Sequence, residues 1–148
     1  GLLDRVGCVL LTGGKQRRLL ERVAGTPLHD GLRDAWRDGL LLAGTSAGAS
    51  ALAERAIGPR GTDPGLGLVT RSIIDQHFSE RDRAGRLIRA VLADGRRTGY
   101  GIDEDTALVL EGGTSHVLGS GTVTVIEPGG RLRRHGTGET VAAAHTRS

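Results

Sequence analysis

Ser46 stands in Gly44-Thr45-Ser46-Ala47-Gly48, a G-x-S-x-G run with apolar residues before it and small residues after it. A sharp strand-to-helix turn of this kind pushes the serine out of the sheet edge, and the flanking glycines remove side chains that would collide there. The Ala47 N–H, at the start of the following helix, would then face the place where an acyl-transfer oxyanion forms. The competing reading is a glycine-rich loop whose serine caps a helix. A nucleophilic serine needs a base. His77 follows a later apolar run, so in a parallel sheet it would share the edge that carries Ser46, where open α/β sheets gather their sites. Packed beneath the next helix it would instead be a core histidine. Gly13-Gly14, closing the first apolar run, supplies either a second oxyanion N–H, from Gly14, or an ordinary turn. His29, His116, His135 and His145 fall in a helix first turn, a hairpin or the tail and read as surface residues.

All but one of the 20 basic residues are arginine, a side chain suited to bidentate capture of carboxylate or phosphate. A codon bias toward Arg, Ala and Gly accounts for the bulk of them. Arg81 is the informative one. On a helix begun at Ser79 it falls within the arc of Ala84 and Ile88, while Arg83 and Arg86 point away from that stripe. Arg81 and Arg83 would both sit in a first turn, where a cation opposes the helix dipole. That placement points to an acidic ligand or a carboxylate partner.

These residues need a scaffold that brings strand ends to one edge. Val6 to Leu11 reads as a buried strand, Gln16 to Val23 as a short helix, and Thr26-Pro27 as an N-cap with proline at the first helical position. Leu28, Leu32, Ala35 and Trp36 make one apolar stripe that Gly39 ends. Leu40 to Ala43 is a second buried strand, and Ala47 to Ala53 a helix of small residues. Ile57 to Gly67 reads as a Pro/Gly-punctuated loop. Val69 to Ile74 is a strand, and a helix capped by Ser79 and Asp82 runs to Gly95. Short strands follow at 101–102, 107–110, 117–118 and 122–126, with a frayed or poorly packed edge after Gly136. Alternating strands and helices in the first 95 residues predict a parallel sheet covered on both faces, with edge strands added by the β-rich end.

The chain has 148 residues, enough for one domain, and residues 1–148 are read as a single one. A 37% hydrophobic share and 25% charged residues, with no apolar run near 18, argue against disorder and a membrane span. Lone Cys8 excludes an internal disulfide framework and a cysteine-built zinc site. Three aromatics, Trp36, Phe78 and Tyr100, leave little for base stacking, so nucleic-acid binding would rest on a pI near 9.9 alone. The chain opens Gly1-Leu2-Leu3 without Met or a signal-like start, so targeting is not legible, and a cytoplasmic location is the working expectation.

Five segments together carry a family resemblance: Leu11-Thr-Gly-Gly-Lys-Gln16, Gly25-Thr-Pro-Leu28, Ala43-Gly-Thr-Ser-Ala-Gly-Ala-Ser50, Ile74-Asp-Gln-His-Phe-Ser-Glu-Arg81 and Gly101-Ile-Asp-Glu-Asp-Thr-Ala-Leu108. In order and with natural spacing, across roughly residues 6 to 126, they resemble the cyanophycinases, which stand with dipeptidase E among the serine peptidases. The resemblance implies a three-layer α/β/α sandwich with a mostly parallel sheet, related to class I glutamine amidotransferases. It implies cleavage of cyanophycin, a poly-aspartate backbone carrying arginine on each side-chain carboxylate, to β-Asp-Arg dipeptides. It makes Ser46 the nucleophile and His77 its base, and matches Gln16, Asp75, Gln76, Arg81, Arg83 and Arg86 to the residues lining the family's substrate groove. The arginines would pair with substrate carboxylates, and Asp75 would receive substrate guanidinium groups.

Two departures accompany it. The family has further strands before the position where this chain begins, so part of the sheet is missing or the chain is a fragment. The stretch from Ala51 to Gly67 is also short, and there the triad acid should lie, with Asp63 first and Glu54 second. The expectation is a serine exopeptidase with Gly14 and Ala47 amides at the oxyanion and no metal or organic cofactor. Its partner is cyanophycin or a β-aspartyl peptide, with no nucleic acid and no membrane, and a homodimer is among the assemblies considered. The rivals are an isoaspartyl or Asp-specific dipeptidase, a truncated or non-catalytic homologue that binds a partner, and an α/β-hydrolase esterase. The chain is short for the last of these, and its close Ser46–His77 spacing argues against an acid preceding a late histidine.

Overall fold

The computed structural model describes residue 1, residues 3–111 and 113–141, and the backbone of His145 and Thr146. After a 3-10 turn at Leu3–Arg5, the elements are β1 (Cys8–Leu11), α1 (Gln16–Val23), α2 (Pro27–Arg37), β2 (Leu41–Gly44), α3 (Ala47–Leu52), β3 (Ala53–Gly58), β4 (Gly61–Pro64) and β5 (Val69–Gln76). They continue as α4 (Ala84–Asp94), β6 (Thr98–Ile102), β7 (Thr106–Glu111), β8 (Thr114–Gly119), β9 (Val123–Ile126), β10 (Leu132–His135) and β11 (His145–Thr146). β1 and β2 form a parallel pair. The larger sheet runs β10-β9-β6-β5-β3-β4, with β11 against β5. Its centre, β3-β5-β6, is parallel, and β4, β9, β10 and β11 join it antiparallel. This is the expected α/β fold with a parallel core and antiparallel margins.

Side-chain alternation along β5 divides the core. Ile73 packs with Phe78 and with Leu87 and Val91 of α4 on one face. Ile74 packs with Tyr100, Val117, Val125 and Val141 on the other. A third cluster joins α1, α2 and α3 to the β1–β2 pair through Val23, Leu32, Ala51, Leu66 and Leu68. Thr26 caps α2 as its sequence predicts, its hydroxyl accepting from the His29 N–H at 3.4 Å.

α3 lies almost on the backbone of β1, which is why its residues are small. A Cβ built on Gly48 would overlap the Leu11 carbonyl, and one on Gly44 would stand 2.7 Å from the Ala49 nitrogen. Gly48→Ala is therefore expected to cost about 3 kcal/mol or more, because the colliding atoms are main chain and cannot step aside. Thermal unfolding checks this; a melting temperature unchanged from the parent would show that α3 is free to move off β1.

Four expectations change. The predicted loop at 57–67 contains a hairpin: β3 extends to Gly58 and β4 pairs back along it, with Pro64 tolerated because β4 is an edge strand. The capping signal at Ser79 and Asp82 is not a helix start. The Ser79 N–H and hydroxyl both donate to Asp103 Oδ1, Asp82 has φ 46°, and α4 begins at Ala84. The tail is packed as far as Val141, which is 1% exposed and donates its N–H to the Ser115 carbonyl at 2.8 Å. His29, His116 and His135 are half-buried rather than surface residues; His29 has Nε2 2.7 Å from the Leu66 carbonyl and Nδ1 accepting from the Gly25 N–H. The side chain of His145 lies outside the described residues.

Candidate active site

Ser46 ends the β2-to-α3 turn with φ 52° and ψ −117°. A non-glycine residue in that region stores strain that its surroundings must hold. The holding contacts are backbone: the Thr45 N–H donates to the Leu11 carbonyl at 2.9 Å and the Ser50 N–H to the Ser46 carbonyl at 3.2 Å. The turn lifts the Ser46 hydroxyl to the edge where β1 also ends. A Cβ on Gly13 would lie 3.3 Å from Ser46 Cβ, so the Gly13-Gly14 turn stands beside the hydroxyl, with Gly14 at φ 133°. Ala47, the first residue of α3, adjoins the same spot.

Parallel pairing brings the other groups to this edge. β5 and β6 end together at the Gln76–Ile102 pair, and both chains leave the sheet there. His77 leaves with φ 48°, and Asp105, just past the second strand, has φ 50°. Across the gap, Ser46 Oγ lies 3.0 Å from His77 Nε2. The other imidazole nitrogen, Nδ1, lies 2.6 Å from Glu104 Oε1. Glu104 is half exposed, so this pair adds little to stability. A carboxylate can only accept, so this contact favours the tautomer with the proton on Nδ1, which leaves Nε2 facing the hydroxyl as acceptor. Such a chain can take a proton from the hydroxyl as it attacks a carbonyl carbon and return it to a leaving amine.

The carboxylate on His77 is thus neither acid predicted from the sequence. Asp63 sits on β4 opposite Ala56, with its carboxylate against Gly58. Glu54 receives the Arg71 N–H and the Arg97 guanidinium. Both of those positions place the acid just after the serine. Glu104 stands in Gly101-Ile-Asp-Glu, and the signal that finds it is register: a carboxylate two residues past a strand parallel to the one that ends at Gln76, just before His77.

Asp103, the neighbour of Glu104, ties the end of β6 to Ser79 and Thr122. Its carboxylate, 9% exposed, accepts the Ser79 N–H and hydroxyl on one oxygen and the Thr122 N–H and hydroxyl on the other. Burial alone would push this carboxyl up, but the four donors outweigh it and hold it below the usual carboxylate value. The resulting stabilisation is fully present above about pH 4, the ordinary carboxylate range, and is lost as pH falls through the lower folded-state value. Asp103→Asn turns an acceptor into an NH2 that faces donors. It should cost about 2 kcal/mol at pH 7 and flatten the acid limb of the stability–pH curve. Denaturant unfolding at several pH values checks both; an unaltered acid limb would exclude Asp103 as its source.

The predicted substrate residues separate into three positions. Asp75, 1% exposed, accepts from Arg83 Nη1 at 3.1 Å and from Arg86 Nε at 2.6 Å, besides the Gln76 N–H. Both its oxygens are engaged, so Asp75 positions two arginines rather than receiving a substrate guanidinium. Arg83 also donates to the Gln76 carbonyl at 2.6 Å. Burial, ahead of crowding by Arg86 and Arg81, lowers the Arg83 pKa against the pull of Asp75. Arg81 lies exposed in the turn before α4, so its helical-arc placement does not hold. Gln16 opens α1 and donates to the Ile57 carbonyl at 3.1 Å. Gln76 presents a buried Oε1 that accepts no hydrogen bond among the described residues, an acceptor left for a ligand donor. A cavity of about 570 Å³ opens beneath Ser46, Gln76, His77 and Glu104; Trp36, Leu42, Leu52, Ile74, Ile102 and Leu108 make much of its wall apolar, with Asp105 and Thr106 adding polar groups. The arginines lie instead on the α4 face of β5.

Residues 2–118 match peptidase family S51. The chain belongs to that family. Cyanophycinase of Trichormus variabilis is 45% identical over 85% of this chain and 47% of its own length, and cyanophycinase of Synechococcus elongatus is 40% identical over 85% of this chain and 43% of its own. The chain therefore spans about half the length of these S51 relatives. The crystal structure of a peptidase from an acI-B1 Actinobacterium superposes with a TM-score of 0.80 at 25% identity, covering 95% of this chain and 61% of that one.

Proposed function

We propose that this S51 site is that of a serine peptidase that hydrolyses cyanophycin to β-Asp-Arg dipeptides. The observation that carries the reading is the unbroken contact from Ser46 Oγ through both nitrogens of His77 to Glu104, held on a backbone with positive φ at Ser46 and His77. In the first step Ser46 Oγ attacks the scissile carbonyl carbon and its proton passes to His77 Nε2. The carbonyl electron pair moves to oxygen, where the Gly14 and Ala47 N–H groups receive it. Collapse expels the amine, which takes the proton from His77. Water then repeats the sequence on the acyl-serine and releases the acid. Glu104 touches no reacting atom and acts by orienting the imidazole.

The substrate class rests on different support. Relatives at 40–45% identity are named cyanophycinases, and two arginines sharing one carboxylate leave positive charge for substrate carboxylates near the edge. The buried Gln76 oxygen offers an acceptor to a substrate N–H. The same reading takes the protein as cytoplasmic, and no described helix is long and apolar enough to cross a membrane.

Incubation with cyanophycin, with products identified by mass spectrometry, is the test. Release of β-Asp-Arg is expected. Cleavage of isolated isoaspartyl dipeptides with the polymer left intact would assign the site to a dipeptidase, and folded protein inert toward both would overturn the reading.

A further inference from the structure

A second groove, of about 680 Å³, lies between α4 and the β3–β4 hairpin. Arg55, Arg86 and Arg89 line it, with Asp94 as its carboxylate. Asp94 is committed to Arg97 at 2.6 Å and its side chain is 9% exposed. Arg55 is fixed in the wall by Thr62, whose hydroxyl it meets at 3.3 Å and whose carbonyl it meets at 2.6 Å. Among the described residues neither Arg55 nor Arg89 makes an ion pair. The groove thus carries an excess of positive charge, and a lined concavity with uncompensated guanidinium groups concentrates anions.

The groove shares residues with two contacts described above. Arg86 lines it while holding Asp75, and Ile57 lines it while its carbonyl takes the Gln16 amide. Arg86, Arg89, Ala90 and Ala93 follow one face of α4, leading away from the catalytic edge toward the far end of the helix. In a polymer whose arginines are attached to aspartate side-chain carboxylates, each attached arginine keeps its own carboxylate free. A chain held at Ser46 therefore presents carboxylates at regular intervals, and guanidinium forks suit them better than any other side chain.

We propose that this groove is a distal subsite in which Arg55 and Arg89 bind the free carboxylate of a repeat beyond the one being cleaved, so that the protein favours long chains over short ones. The proposal rests on the polymer reading above. Binding to a Ser46→Ala protein, measured calorimetrically with β-Asp-Arg oligomers of two and of six repeats, tests it without turnover. The six-repeat oligomer should bind more tightly than the two-repeat one. Arg89→Glu, at an exposed position outside the hairpin contacts, should erase that advantage, weakening the longer ligand by roughly threefold to tenfold and the shorter one little. A length advantage that survives Arg89→Glu, an equal loss for both oligomers, or no advantage in the parent would each overturn the subsite. Cleavage of the polymer by protein with Ser46 intact is read separately. Length-dependent binding without cleavage would sink the peptidase reading alone, and cleavage with no Arg89 effect would sink the subsite alone.

Discussion

Ser46→Ala should lower kcat on cyanophycin by about four to six orders of magnitude and leave KM within a few-fold. The residual rate should still exceed that of uncatalysed hydrolysis, because the amides at Gly14 and Ala47 and the binding residues stay in place. Removing the Cβ as well should act on stability in the opposite direction. Ser46 holds φ 52°, a conformation that suits glycine far better than serine. Ser46→Gly should therefore gain roughly 1 kcal/mol, as strain at the turn is relieved, while being as inactive as the alanine variant. Steady-state rates with thermal melts on the same preparations check the pair. A glycine variant that melts lower than the parent would show that the turn is not strained.

Glu104→Gln should reduce kcat by roughly two to four orders of magnitude with the fold unchanged. The amide can turn its NH2 toward Nδ1, which then has to accept, and the proton moves to Nε2, where it faces the serine and blocks it as a base. Because Glu104 is half exposed, the melting temperature should move little. The same measurement on Asp63→Asn should give parental kcat, since that carboxylate lies on the hairpin against Gly58. Glu54→Gln should keep its kcat too but melt lower, because the carboxylate anchors Arg97, whose pKa it raises. A large rate loss in Asp63→Asn with none in Glu104→Gln would reverse the assignment of the acid.

The contrast between these carboxylates shows what a single sequence discloses. The serine turn was legible because Gly44 and Gly48 are demanded by atoms a few residues away, including the β1 backbone under α3. The histidine was legible because an apolar run ended just before it. The carboxylate that meets His77 is not legible, because its place depends on which strand lies beside β5: β6, some 25 residues on, is the parallel neighbour whose end coincides with that of β5. The hairpin at 53–64 was hidden by its glycines and proline, which mark an edge strand and a loop alike. Ser79 and Asp82 resemble a capping box, yet Asp103 claims both donor groups of Ser79 and delays the helix to Ala84. Asp75 is a similar case. Its residue type suits a guanidinium ligand, but the chain's own Arg83 and Arg86 reach it first.

Ser46 is either an activated nucleophile or a strained but inert turn residue. Reaction of the folded protein with a fluorophosphonate, followed by mass spectrometry of its peptides, reads that directly. Stoichiometric modification at Ser46, abolished by His77→Ala and slowed by Glu104→Gln, is the predicted result; folded protein left unlabelled at Ser46, or labelled equally well without His77, would contradict it.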